Sequence, residues 1–244
     1  MKTKSSQFKA AARGHLTGRY SMIILAFMLA QIIMEIPSML VSMTINTNTS
    51  IGMLFYFFAT FILSTLSAIF MVGQNNICLH YTHSEAQVPI KEMWYGFKGR
   101  ADEIIIAYFL IYIRLFVCFL PFGIAVSICL KQTNGGTLAF LAVAALFSLI
   151  ACTKVNLDYS QVFFLLIDHP EKRPVELLKL SKQIMQGNRL RLLYIQLSFI
   201  GMYLLVAFTF GFASFWVTPY IRMTLTELYN ELAPAACTTA FEAE

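Results

Sequence analysis

The sequence predicts an all-α polytopic membrane protein, with six transmembrane helices in three hairpins and cytoplasmic amphipathic helices lying in the membrane interface. Six stretches are apolar enough to sit in a bilayer, and mean hydropathy over the chain is +0.66. Hydrophobic residues make up 58% of the chain and charged residues only 13%, more apolar than an ordinary globular protein. Lys and Arg gather on alternate sides of the apolar stretches, as topology signals do. At roughly 20 residues per span, six spans consume about half of the chain and leave little for a soluble catalytic domain.

The first span covers about 20–44 and is closed by the polar loop Asn46–Ser50. The second covers about 51–77. The third, about 104–130, holds Pro121, where a kink is expected. Asn134-Gly135-Gly136 turns the chain into the fourth span, about 138–167, which becomes polar at Lys154, Asn156 and Asp158 and ends at Asp168-His169-Pro170. Residues 192–218 could form one long helix; a break at Gly211 gives instead a fifth span, about 192–208, and a sixth, about 212–232. Lys and Arg number five before Tyr20, three in 80–103 and six in 168–191, against none in 45–50 and one in 131–137. The positive-inside rule therefore puts the N-terminus and both basic segments in the cytoplasm. A sixth span returns the tail, with Arg222, to the same side, whereas a single fifth span would leave it outside. The whole chain, 1–244, reads as one integral membrane domain.

Interfacial helices are expected at about 5–17, 89–97 and 174–187. In the third, Leu177, Leu178, Leu180, Ile184 and Met185 share one face and Glu176, Lys179, Lys182, Gln183 and Gln186 the other. Pro174 suits its first turn and Glu176 its positive end. In the second, Ile90, Met93, Trp94 and Phe97 follow i, i+3, i+4, i+7. Such helices contact anionic headgroups, or dock a protein partner. A short repeat recurs at Leu16-Thr17-Gly18-Arg19, Trp94-Tyr95-Gly96-Phe97-Lys98 and Met185-Gln186-Gly187-Asn188-Arg189. Its glycine suits the turn from a surface helix into the membrane, because it tolerates positive φ.

Tyr159-Ser160, Asp168-x-Pro170, Ser181, Met185-x-Gly187, Leu197-Ser198-Phe199-Ile200-Gly201, Pro219-Tyr220, Thr224, Tyr229 and Leu232 resemble a bacterial family of multi-pass membrane proteins, domain of unknown function 975. The resemblance covers about Tyr159–Leu232, and more loosely the segment holding Gly96-Phe97-Lys98. Met202 stands where the family would place a Trp. The resemblance implies a six-helix bacterial inner-membrane protein and brings no activity, cofactor or catalytic residue.

Charges inside spans are costly and mark function or pairing. Four stand out: Glu35, Arg114, Lys154 and Asp158. By helical rise Arg114 and Asp158 lie about 15 Å and about 14 Å from the cytoplasmic end, Glu35 and Lys154 about 22 Å and about 20 Å. The depths predict Arg114–Asp158 and Glu35–Lys154 pairs, with Lys154–Asp158 at i, i+4 as a further option. Such a cluster is either structural glue or a polar cavity for substrate or protons. His80 and His83, near Glu85, form a weak HxxH metal candidate that lacks a clear third ligand. Ala144, Ser148 and Cys152 make a small-residue stripe fit for close helix contact. The five cysteines (Cys78, Cys118, Cys129, Cys152 and Cys237) form no CxxC and read as membrane-packing residues. The 19 residues before the first span, followed by an apolar run too long for an h-region, predict no cleavable signal peptide.

Nucleophile elbows, P-loops, dinucleotide fingerprints and paired metal-binding carboxylates are absent from the sequence. The net charge of +5 flanks apolar runs instead of forming one patch, so no nucleic-acid partner is expected. The expected function is a non-enzymatic accessory or binding protein of the cell envelope, without cofactors, holding lipid or a partner protein. Its expected partners are anionic headgroups on the cytoplasmic face, met by Lys179, Lys182, Arg189, Arg191 and Trp94, with a membrane protein or a second copy as a further option. The alternative is a small transporter built on the buried charges.

Overall fold

Polar side chains set the turns of the first two hairpins. Asn46 Oδ1 accepts from the Asn48 N–H (2.9 Å) and Thr49 Oγ1 from the Gly52 N–H (3.1 Å), the local bonds by which such residues start helices. Asn134 and Thr137 form a reciprocal capping box across the second turn. The computed structural model describes residues 5–18, 20–83 and 88–241, with side chains to residue 233. Arg19, Glu85 and the Cys237 side chain therefore lie outside the described residues. In order the elements are α1 (Ser5–Leu16), α2 (Tyr20–Thr44), α3 (Ser50–His83), a 3₁₀ segment (Ile90–Phe97), α4 (Ala101–Lys131), α5 (Gly135–Asp158), α6 (Val162–Asp168), α7 (Pro174–Met185), α8 (Arg189–Leu197), α9 (Ile200–Phe208) and α10 (Ser214–Phe241).

Five stretches among the described residues are long and apolar enough to cross a membrane: Tyr20–Thr44, Ser50–His83, Ala101–Lys131, Gly135–Asp168 and Arg189–Phe208. This is the make-up of a multi-pass membrane protein. The expected sixth span is not among the five; its residues 212–232 include Arg222, Glu227 and Glu231. Two expected continuous spans are interrupted. The fourth breaks at 159–161 between α5 and α6, and the fifth at Ser198–Phe199 between α8 and α9. The break at Gly211 is present, with Phe210 at φ 50 and Gly211 at φ 92.

The core is confined to one end, the end that carries the basic segments, termed inner below. Its buried apolar residues stop at Ala30 on α2 and Ala107 on α4, and begin only at Ala68 on α3 and Leu157 on α5. The three amphipathic segments all contribute buried residues to this core, while Trp94 and Phe97 of the segment at 90–97 stay partly exposed. Leu177, Ile184 and Met185 of α7 are buried, as are Phe8, Ala12 and Leu16 of α1. α1 runs beside α10 in the same direction: the Tyr220 hydroxyl reaches Lys9 O (3.4 Å) and His15 meets Glu227 (3.2 Å). Burial and the nearby Arg13 lower the Lys9 pKa from its ordinary value, while its ammonium donates to Ser198 O at 3.1 Å.

The 3₁₀ segment lies so close to α3 that a Cβ on Gly73 would collide with Met93 O and one on Gly96 would meet Ile69 O at 2.5 Å. Gly96 therefore serves close approach, not the turn. The positive φ in that copy of the repeat falls on Gly99 (87°), against Gly18 (78°) and Gly187 (79°) in the others. Trp94 packs edge-on against Phe70, with centroids 5.4 Å apart.

The depth of the α9–α10 turn against α2 is marked by one contact: Gln31 Nε2 donates to Ser214 Oγ at 3.0 Å. By helical rise Gln31 sits about 16 Å from the inner end of α2 and about 20 Å from its outer end. The 209–213 turn is thus level with the middle of α2, well short of the two polar turns.

Candidate functional site

One face of α2 carries Phe27, Ala30, Gln31, Met34, Glu35, Ser38 and Val41, at helical spacing. The facing stripe of α3 carries Tyr56, Thr60, Leu63, Ser64, Ser67, Ala68, Met71 and Gln74. Between them run two adjoining cavities of about 440 Å³ and about 260 Å³ that share Met34, Glu35, Ser64 and Ser67. Small side chains at Ala30, Ser64, Ser67 and Ala68 leave the space unfilled. Tyr108 of α4 and Thr218 and Arg222 of α10 complete the larger cavity. α10 is antiparallel to α2 here, so from the Ser214–Gln31 contact Thr218 falls opposite Phe27 and Arg222 about one turn further in. Beyond the 209–213 turn the groove has only α2 and α3 for walls.

Among the described residues, no hydrogen bond or ion pair engages the side chain of either Glu35 or Arg222. Two hydroxyls along the groove are already committed as donors to their own helix: Ser64 to Phe61 O (2.8 Å) and Thr60 to Tyr56 O (2.7 Å). Their oxygens remain free to accept. The groove therefore offers an unpaired cation at its inner end, an unpaired carboxylate half-way up, and acceptors beyond.

The expected cluster of four charges is not assembled. Asp158 is buried and paired with Arg189, 31 residues away, while its carbonyl accepts from Ser181 Oγ (2.8 Å). Arg114 donates to Leu110 O (2.6 Å) and lies 5.2 Å from the Tyr159 ring centroid. The Arg114–Asp158 pair is thus replaced by Arg189–Asp158, because the carboxylate sits at the α5–α6 break, within reach of the start of α8. Lys154 is exposed on α5 and forms no ion pair with Asp158 or Glu35 among the described residues. Of the four, Glu35 alone lines the groove.

Of the expected headgroup contacts, Lys179 and Lys182 are exposed. Arg189 is held by Asp158, and Arg191 by Glu231 (2.8 Å) and the Phe8 ring (4.8 Å). His80 and His83 each turn Nδ1 to a carbonyl of their own helix, Asn76 O (2.9 Å) and Leu79 O (3.0 Å). Among the described residues, no group of three or more His, Cys, Asp or Glu is placed to hold a metal. Ala144 and Ser148 are buried and Cys152 Sγ approaches Leu115 O (4.0 Å), so the small-residue stripe seats α5 on α4.

Sequence reasoning missed Arg222, which it counted only as a topology signal although it lies inside 212–232, as do Glu227 and Glu231. It also missed the polar stripes Gln31–Glu35–Ser38 and Thr60–Ser64–Ser67–Gln74. Their 3.6-residue spacing on two consecutive apolar helices was the available signal.

Residues that carry the family resemblance hold the inner core together. The Tyr229 hydroxyl donates to Asp168 Oδ2 at 2.5 Å and its ring stacks on Phe164 at 5.0 Å. Phe199 meets Tyr220 edge-on at 5.6 Å. Residues 1–236 match the family model described as "Protein of unknown function (DUF975)". No curated protein and no solved structure matches the chain.

Proposed function

The chain belongs to the DUF975 family of proteins of unknown function, and from that premise we propose a non-enzymatic lipid-binding protein of the bacterial inner membrane. Both termini and the packed inner end face the cytoplasm, as the placement of Lys and Arg supports. Three hairpins enter from that side. The first two cross the bilayer, and the third is re-entrant, with its turn inside the hydrocarbon. Every N–H from 209 to 217 has an acceptor within the segment, Ala213 using Thr209 Oγ1. No N–H of the turn is therefore left for water to satisfy. Phe210 at the tip is 96% exposed, which suits lipid and not water.

The observation that carries the reading is the pair of unpartnered, opposite charges, Glu35 and Arg222, on a groove open to the bilayer. An ionisable group deep in a span that finds no partner among the described residues, as Glu35 does, marks a ligand site. Arg222, near the inner end of α2, lies at headgroup depth, where a lipid phosphate can reach it. The transporter reading would use Glu35 as well, but a groove with an open side suits an amphiphile better than a small solute.

Native mass spectrometry of the full chain, extracted in mild detergent, tests this. Wild type should retain phospholipid, and Arg222→Gln should retain several-fold less at unchanged thermal stability. Equal retention by both would contradict the reading.

A further inference from the structure

Resting on that lipid-binding reading, we propose that the groove is a track along which phospholipid headgroups pass between leaflets while the acyl chains stay in the bilayer. A static headgroup site needs one cluster of polar groups at one depth. This groove instead repeats them: Arg222 at the inner end, Gln31 and then Glu35 with Ser64 and Ser67 half-way, Thr60 beyond. From the level of Arg222, opposite Ile23 of α2, to Val41 is about 27 Å of helix, close to the roughly 30 Å of hydrocarbon a headgroup must cross.

The lateral opening has a structural cause. The third hairpin stops at the level of Gln31 and leaves the outer half of the α2–α3 face without a third wall, and that uncovered face carries Glu35, Ser38, Tyr56 and Thr60 among apolar side chains. A headgroup moving along it finds acceptors for its ammonium at Glu35, Ser64 and Thr60, which lowers the cost of carrying that charge through lipid. The two charges set the order of contacts. Arg222 receives the phosphodiester at the inner end. Glu35 then repels a bare phosphate and attracts an ammonium, so phospholipids with an ammonium head are the favoured substrates over those whose head is anionic only. The step is passive: no bond is made or broken and no energy source is needed.

The test is the full chain reconstituted in vesicles of phosphatidylethanolamine and phosphatidylglycerol, each in turn carrying a trace of tail-labelled lipid read by a membrane-impermeant quencher. Protein-containing vesicles should expose inner-leaflet label far faster than empty ones, with the ethanolamine lipid ahead. Ser64→Leu with Ser67→Leu, which fills the groove, should slow passage about tenfold. Glu35→Gln, which keeps the groove open, should bring the two lipids to similar rates. No acceleration over empty vesicles overturns the track; if purified protein still retains lipid, the binding reading survives and only the track falls. Ready cross-linking of Ser64→Cys between two copies in vesicles would also overturn it, by showing that a second protein chain closes the groove.

Discussion

Leu177, Met185 and Leu192 are wholly buried, whereas Phe55, Phe116 and Phe147 are 62%, 57% and 60% exposed, though all six are strongly apolar. The first three belong to the inner end and the others to the outer half of the helices. The difference teaches that the two regions are held by different forces. At the inner end water is the competing solvent, so burying a Leu contributes about 2 kcal/mol, and among the described residues nine helices and one 3₁₀ segment contribute buried side chains to it. In the outer half the solvent is lipid, association has no hydrophobic drive, and close contact relies on small residues such as Ala144 and Ser148. A polar groove persists in the outer half because nothing there pulls a third wall over it.

The comparison can be broken by mutation, and the largest effects belong to the inner end. Leu177→Ala should lower stability in detergent by about 3–4 kcal/mol, through lost burial and the cavity left behind. Asp158→Ala should cost about 3 kcal/mol because it leaves Arg189 without its partner in a half-buried site. Adding Arg189→Ala should recover much of that loss, while Arg114→Ala should simply add to it. Additive losses for Asp158 and Arg189 would contradict the pairing. Gly73→Ala, whose new Cβ would collide with the Met93 carbonyl, should cost about 2 kcal/mol by forcing the 3₁₀ segment away from α3. Phe147→Ala, on the lipid face, should change stability by less than about 1 kcal/mol. If it matches Leu177→Ala in thermal unfolding, the division between the two regions is wrong.

Hydropathy made the apolar stretches legible, and glycine chemistry the break at Gly211. The interruptions at 159–161 and Ser198–Phe199 were not legible, because no Gly or Pro falls within either and polar residues of the same types as Ser160, Gln161 and Ser198 also occur inside unbroken helices. Amphipathic periodicity in 174–187 could not name what covers the apolar face; a stripe such as Leu177–Ile184 looks the same against lipid as against protein. Depth matching paired Asp158 with Arg114 because it assumed straight, unbroken helices. The true partner, Arg189, sits at the start of α8, which only the tertiary fold brings to the end of α5. The groove was half legible. Glu35 stood out, but its meaning depends on Ser64 and Ser67 facing it and on a third hairpin that ends early.

That early ending is the claim on which the groove, its opening to lipid and its proposed substrate all depend. Single cysteines at positions 47, 134 and 210 in a cysteine-free background, spin-labelled in vesicles, report it directly. Position 210 should be accessible to oxygen and shielded from a water-soluble relaxation agent, as a residue within the hydrocarbon is, while 47 and 134 should show the reverse. Access of the water-soluble agent to position 210 from the outer face, equal to that at 47 and 134, would mean that the third hairpin crosses the bilayer, and would contradict the account.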